Sequence, residues 1–327
     1  MTTEPLTYST VVVDGFTWRM IDQGDGPVVL LCHGFPGLAF SWRHQVHALS
    51  ANGFRAIALD MPGYGGTDRP VEIAEYSFAA VAGRIVALLD ELGIDDVLAV
   101  GHDFGSPAAW TLARRHRDRV RGLMLMAMPY APDRLPVPPT QAYAHVAQKH
   151  FFHFDYFQEP GVADAELDSA PGEFLARVFH ALSGDAPYLQ TWDHPSVHDG
   201  VRVGYLDALP TAPPLPWPWL SSDEFAVYET TFAATGFTGG LNWYRAADVN
   251  WSEMADDDPV LDVPAYFLNG ENDPALAIAG EKTMGRMRET MPCLRAVHTY
   301  DGAGHFIMAE CAREVSAALI GFARTLR

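Results

Sequence analysis

The segment "DVLAVGHDFGSPAAW", residues 96–110, decides how this sequence is interpreted. Residues 97–100 form a continuous apolar run, which is typical of a strand buried on both faces. Residues 107–120 have the spacing of a helix with a basic last turn. Between them, Gly101 and Gly105 bracket Asp103 in the pattern of a sharp strand-to-helix turn that exposes a nucleophile. A serine usually occupies the central position of such a turn, whereas this chain has a carboxylate. A second interpretation is that Asp103 simply caps the helix.

The rest of the chain repeats the alternation of strand and helix patterns. A helical pattern occupies residues 77–92, and an Asp–Gly pair within residues 8–20 predicts a hairpin. Alternating elements of this kind predict an α/β fold with a mostly parallel sheet. Short apolar runs predict the other strands, at residues 28–32, 55–60, 123–128, 265–269 and 295–300.

The pattern changes near residue 129. From about residue 133 to residue 256 the chain is aromatic, helical and rich in proline, and strand patterning resumes at residue 263. We therefore expect an α/β core formed by residues 1–132 and 257–327, with residues 133–256 inserted as a helical lid domain.

Composition excludes several classes of function. The 327 residues include 41 acidic and 22 basic ones, and the formal charge of −19 disfavours binding to nucleic acid or to an anionic membrane surface. The three cysteines lack the spacing of a zinc site, so we expect neither a metal ion nor a cofactor. With no apolar run near the ~18 residues of a membrane span and no signal-peptide pattern, the expectation is a cytoplasmic protein, either monomeric or homodimeric.

Three further motifs follow predicted strands. "CHGFPG" (32–37) forms a turn that can aim the backbone N–H of Phe35 at Asp103, where it would complete an oxyanion hole with the N–H of Phe104. "NGENDPA" (269–275) presents Asp273, with Glu271 as its nearest rival. "GAGHFIMAE" (302–310) presents His305. The chain order of nucleophile, acid and histidine is the order of one hydrolase class.

These residues resemble the α/β-hydrolase superfamily, and the carboxylate at the turn narrows the resemblance to its epoxide hydrolase and dehalogenase branch. "GYGGTDRP" (63–70), "YFQEPGVADAEL" (156–167) and "LNWYR" (241–245) are similar to segments of soluble epoxide hydrolases. The resemblance implies an α/β-hydrolase fold with a lid. It also implies that Tyr244 helps to open an epoxide.

The chemistry of the reaction explains why a carboxylate replaces serine at position 103. A serine that attacked an sp³ carbon would form a stable ether, whereas a carboxylate forms an ester that water can hydrolyse. The resemblance therefore implies a covalent ester on Asp103 and a water molecule deprotonated by His305, which Asp273 orients.

The lid donors and the pocket are less certain from sequence. The resemblance places a first donor three residues before Tyr156, at His153, where the family has tyrosine; Tyr156 is the alternative. A histidine there is expected to change its charge near neutral pH. The expected substrate is a small apolar epoxide, with predicted pocket residues His33, Pro36, Trp42 and Phe154.

Two other functions are considered. Haloalkane and haloacid dehalogenases share the aspartate, but Phe104 lacks the N–H donor that a halide site commonly places after the nucleophile. A non-catalytic ligand-binding protein could also retain this fold. The presence of both His305 and Asp273 disfavours it.

Overall fold

The computed structural model describes residues 5–149, 151–186, 188, 203–254 and 257–326. One sheet of eight strands has the order β1-β2-β4-β3-β5-β6-β7-β8. β1 and β2 pair antiparallel, as do β2 and β4, and all other neighbours pair parallel. The strands are β1 (Tyr8–Val13), β2 (Phe16–Gln23), β3 (Val28–Cys32), β4 (Arg55–Leu59), β5 (Val97–His102), β6 (Val120–Met126), β7 (Ala265–Gly270) and β8 (Leu294–Tyr300).

Helices lie between most of the strands and after the last one. None of the described helices is long and apolar enough to cross a membrane. They are α1 (Arg43–Ser50), α2 (Phe78–Glu91), α3 (Gly105–Arg115), α4 (Pro139–Ala147), α5 (His153–Tyr156), α6 (Val162–Ser169), α7 (Pro171–Leu182), α8 (Tyr205–Ala208), α9 (Ser222–Thr235), α10 (Thr238–Arg245), α11 (Ala247–Glu253), α12 (Pro274–Thr290), α13 (Ile307–Glu310) and α14 (Ala312–Arg324).

The sheet agrees with the sequence pattern, which confirms the predicted fold class. The Asp14–Gly15 pair has φ angles of 51° and 76° and forms the predicted hairpin turn. The predicted helix at 107–120 is wrong at both ends, since α3 spans Gly105–Arg115. Its last predicted residue, Val120, instead begins β6, because the apolar run there is buried in the sheet.

The central strands are buried on both faces, as their continuous apolar runs predict. All five residues of β3 and all six of β5 are buried. Each large aliphatic side chain buried in this way contributes about 1.5–3 kcal/mol of transfer free energy. The same burial fixes the carboxyl ends of β3 and β5, from which the loops that carry Phe35 and Asp103 emerge.

The helices α4 to α11 form a helical insertion between β6 and β7, which spans residues 139–253. The predicted end of the lid, residue 256, lies outside the described residues. The insertion is docked on the core by polar contacts and close packing. The indole N–H of Trp243 donates to the Pro62 carbonyl at 2.9 Å, and Arg43 pairs with Glu224 at 2.6 Å.

Candidate active site

The turn between β5 and α3 holds Asp103 in a strained conformation. Its φ angle is 52°, a region that non-glycine residues seldom occupy and that costs on the order of 1–3 kcal/mol. A side chain at Gly101 would collide with the backbone of Gly105, and one at Gly105 would collide with the carbonyl of Cys32. The helix N-cap is Phe104, so Asp103 does not act as the capping residue. The strained turn instead presents the Asp103 carboxylate to the helical insertion.

Two backbone N–H groups hold this carboxylate. The N–H of Phe35 donates to Asp103 Oδ1 at 2.9 Å, and the N–H of Phe104 also donates to the carboxylate. A side chain at Gly34 would collide with the carboxylate, so the turn after β3 requires glycine there. Burial raises the pKa of Asp103, while His305 and the two N–H groups act in the opposite direction. These donors form the arrangement of an oxyanion hole.

His305 lies between two carboxylates. Its Nδ1 is 3.0 Å from Asp273 Oδ1, and its Nε2 is 3.8 Å from Asp103 Oδ2. Asp273 is the N-cap of α12 and also accepts from the N–H of Ala275 at 2.9 Å, which fixes its side chain. The rival from the sequence, Glu271, accepts instead from the N–H of Gly302.

The electrostatics of His305 favour the imidazolium. Burial lowers its pKa, but the charge and hydrogen bond of Asp273, followed by the charges of Asp103 and Glu310, outweigh that effect and raise the pKa to about 9. Glu310 itself accepts from three backbone N–H groups around the histidine loop, at 2.7–3.0 Å. The resting site therefore holds a cationic histidine beside a carboxylate at neutral pH.

A cavity of about 380 Å³ lies between Asp103, His305 and the helical insertion. That volume is in the range of small-molecule sites. Its wall is mostly apolar, and it reaches the surface at Leu135 and Ile278, which are 47% and 55% exposed. Other lining residues are Phe35, Trp110, Met128, Tyr143, Phe152, His153, Phe154, Val178, Leu182, Tyr188, Tyr205, Tyr244 and Ala279.

Of the predicted lid donors, Tyr244 and His153 line the cavity, and their rings are 6.0 Å apart. Tyr156 does not line it, because its hydroxyl donates to Glu166 at 2.9 Å on α6. Burial, followed by the charge of Asp103, raises the pKa of Tyr244 well above its ordinary value. Burial lowers the pKa of His153 to about 3, so the expected change of charge near neutral pH is wrong. His153 is neutral across that range.

Three of the four predicted pocket residues are not part of the cavity wall, and only Phe154 is. His33 accepts from the N–H of Met61 at 3.0 Å and donates from Nδ1 to the Gly34 carbonyl at 2.8 Å. Both ring nitrogens of His33 are therefore occupied by hydrogen bonds to the backbone. Pro36 is buried beside Phe35, and Trp42 is fully buried in the core. The His33 contacts therefore stabilise the turn after β3 rather than the cavity wall.

Sequence reasoning missed several residues at the site. Nε2 of His102 donates to the His305 carbonyl at 2.8 Å and so holds the histidine loop. Tyr188 and Tyr205 line the cavity from a part of the insertion that carries no motif. Of these residues, only His102 could have been found from the sequence, because it directly precedes Asp103. The two tyrosines reach the cavity through packing between distant segments. Ser106 is buried and donates to backbone carbonyls at 2.9 Å, so it does not serve as a nucleophile.

The fold and this arrangement of Asp103, His305 and Asp273 define a hydrolase with a carboxylate at the nucleophile position. The family described as alpha/beta hydrolase fold matches residues 27–310. Epoxide hydrolase A of Mycobacterium tuberculosis is 39% identical over 97% of each chain, and epoxide hydrolase 1 of Siraitia grosvenorii is 34% identical over 98% of each.

Solved structures of epoxide hydrolases are also similar to this chain. Epoxide hydrolase A of Mycobacterium thermoresistibile is 37% identical, with a TM-score of 0.88 over 98% of each chain. An epoxide hydrolase from an endophytic Streptomyces has a TM-score of 0.91 and 33% identity, over 99% of this chain and 97% of that one. This chain belongs to the epoxide hydrolases of the α/β-hydrolase fold family.

Proposed function

We propose that this protein converts a small apolar epoxide to a vicinal diol through a covalent ester on Asp103. The observation that carries the proposal is the position of Asp103. Its Oδ1 accepts from the N–H of Phe35 at 2.9 Å, its Oδ2 is 3.8 Å from Nε2 of His305, and the residue borders the cavity. Oδ2 is therefore the oxygen that attacks an epoxide carbon.

In the first step, a lone pair of Oδ2 forms a bond to the epoxide carbon and the C–O bond of the ring breaks. The electron pair of that bond remains on the departing oxygen, which needs a hydrogen-bond donor. Tyr244 keeps its proton at neutral pH because its pKa is raised. It supplies a proton to the oxygen and becomes a phenolate, and the neutral His153 adjacent to it provides an N–H donor.

Before the second step, the cationic His305 gives its proton through solvent to the phenolate of Tyr244, because the ester no longer carries the charge of Asp103. The neutral His305 then takes a proton from water, and the hydroxide attacks the carbonyl carbon of the ester. Asp273 holds the imidazole and stabilises its cation, while the N–H groups of Phe35 and Phe104 receive the oxyanion. As the intermediate collapses, the bond between its central carbon and the ester's alkoxy oxygen breaks. That oxygen takes the proton of the added hydroxyl group, which releases the diol, regenerates the carboxylate of Asp103 and leaves His305 as the imidazolium of the resting site.

The proposal includes the division of the chain. Residues 1–132 and 257–327 form the catalytic core, and residues 133–256 form a lid that supplies Tyr244 and His153. In support, the helical insertion closes the cavity over the carboxyl ends of β3 and β5. The largely apolar wall favours aryl or alkyl epoxides over charged ones.

The test is turnover of a panel of racemic aryl epoxides, alkyl epoxides and haloacids, with diol and halide both quantified. Diol formation that is lost in the Asp103→Ala variant supports the proposal. Halide release without diol would favour the dehalogenase alternative. Binding of the epoxides without any product would favour the non-catalytic alternative.

A further inference from the structure

Tyr205 is a tyrosine of the cavity wall that the proposed function does not use. Its ring is 2% exposed and is enclosed by aromatic rings. It stacks with His153 at 5.4 Å and with Phe151 at 5.7 Å, and it contacts Phe157 and Phe174 edge-on or tilted. A phenylalanine would satisfy this packing equally well. The hydroxyl therefore needs a separate explanation.

The backbone around Tyr205 is held firmly. The carboxylate of Glu166 accepts from the N–H groups of Tyr205 and Leu206 at 3.0 Å and 3.1 Å, which ties the start of α8 to α6. A side chain at Gly204 would collide with the same carboxylate. The Tyr205 ring consequently has a fixed place in the wall, on a backbone that does not need its hydroxyl.

Within the part of the chain that the structure describes, no group accepts a hydrogen bond from the Tyr205 hydroxyl. The hydroxyl oxygen is not a fully buried atom, and Tyr205 borders the cavity, so its partner can be a group of the bound substrate.

Tyr205 lies next to the predicted lid donors. Its ring stacks with that of His153 at 5.4 Å, and the ring of His153 is 6.0 Å from that of Tyr244. Burial raises the pKa of Tyr205. Since its pKa is raised, it remains a neutral donor.

Resting on the proposed function, we infer that Tyr205 forms a polar subsite beside the ring-opening site and recognises a neutral hydrogen-bond acceptor close to the epoxide. The substrate class is an epoxide with an ether-type oxygen near the ring. A carboxylate is disfavoured, since the described residues of the wall include neither Arg nor Lys, and Asp103 is close.

The experiment compares phenyl glycidyl ether with phenethyl oxirane, in which a methylene group replaces the ether oxygen. A single neutral hydrogen bond is expected to favour the ether by about two- to tenfold in kcat/KM for the wild type. In Tyr205→Phe, which retains the stacking ring, this ratio should fall to about one. The matched control, Tyr266→Phe, removes a hydroxyl on β7 that is not part of the cavity wall and should leave the ratio as in the wild type.

Two results would overturn the inference: equal kcat/KM values of both compounds in the wild type, or an unchanged ratio in Tyr205→Phe. Both results leave the proposed function standing if diol still forms. Failure of the wild type to form diol from either compound would overturn the proposed function and this inference with it.

Discussion

Formation of the ester on Asp103 is expected to convert His305 from an acid to a base. In the resting enzyme the pKa of His305 is about 9. Burial lowers this pKa, but Asp273, Asp103 and Glu310 raise it by more. The ester is neutral, so the contribution of Asp103 disappears when the substrate is attached. The pKa of His305 must then fall, and its proton is released.

The size of this change follows from the geometry. Nε2 of His305 and Oδ2 of Asp103 are 3.8 Å apart. Unit charges about 4 Å apart interact by about 4 kcal/mol at an effective dielectric constant of about 20. Because about 1.4 kcal/mol corresponds to one pH unit, the midpoint for ester hydrolysis should lie about one to three pH units below that of the resting enzyme.

The chemistry fixes the direction in which the rate of ester hydrolysis changes with pH. Only the neutral imidazole of His305 accepts a proton from water, so ester hydrolysis is fast above the midpoint and slows as the pH falls through it. Ring opening depends instead on the ionised Asp103, which is lost at acidic pH. The two steps therefore have separate pH profiles.

The measurement is a rapid-quench single turnover across about pH 5 to 10, with the ester followed by intact-mass spectrometry. His305→Gln should accumulate protein plus one substrate mass at every pH. His298→Gln, a change of an exposed histidine on β8, should leave both profiles as in the wild type. An ester-hydrolysis midpoint that stays near the resting value of about 9, or a hydrolysis rate independent of pH, would refute the reasoning.

Four further predictions concern the individual steps. Asp103→Ala should abolish diol formation in a product assay, and retention of more than about 1% of activity would contradict its role as nucleophile. Tyr244→Phe and His153→Phe should each slow ring opening, by up to about a hundredfold, more than ester hydrolysis in single-turnover kinetics, whereas a larger effect on hydrolysis would remove them from the donor pair. The wild-type ring-opening rate should show no break near neutral pH due to His153, whose pKa burial lowers to about 3, and a break that disappears in His153→Tyr would contradict this. After one turnover in water labelled with ¹⁸O, the label should be in the Asp103 peptide and not in the diol, because water attacks the ester carbonyl; a labelled first diol would exclude the covalent route.

The sequence predicted the parts of the site that depend on local rules. The apolar runs of β3 and β5, the glycines around Asp103 and the Asp14–Gly15 turn each act through neighbouring residues. Parallel strands bring their carboxyl ends to one edge, so their order along the chain was enough to predict that Asp103, Asp273 and His305 meet. The comparisons confirm the family that these motifs indicated.

The cavity wall was beyond the sequence because it depends on contacts between distant segments. His33 and Trp42 have the residue types of a pocket, yet both are buried outside the cavity wall. Tyr205 has no motif around it, and it lines the wall on a backbone that Glu166 of α6 holds.

The charge states of the site histidines also depend on contacts between distant segments. A histidine titrates near neutral pH in water, but the pKa of His153 falls to about 3 among aromatic rings, while that of His305 rises to about 9 between two carboxylates. The sequence thus determined the fold and the family and led to the proposed role of Asp103, since these follow from local patterns and residue type. The tertiary structure alone decided which side chains face the substrate and which of them carry a proton, because burial and distance exist only once the chain has folded.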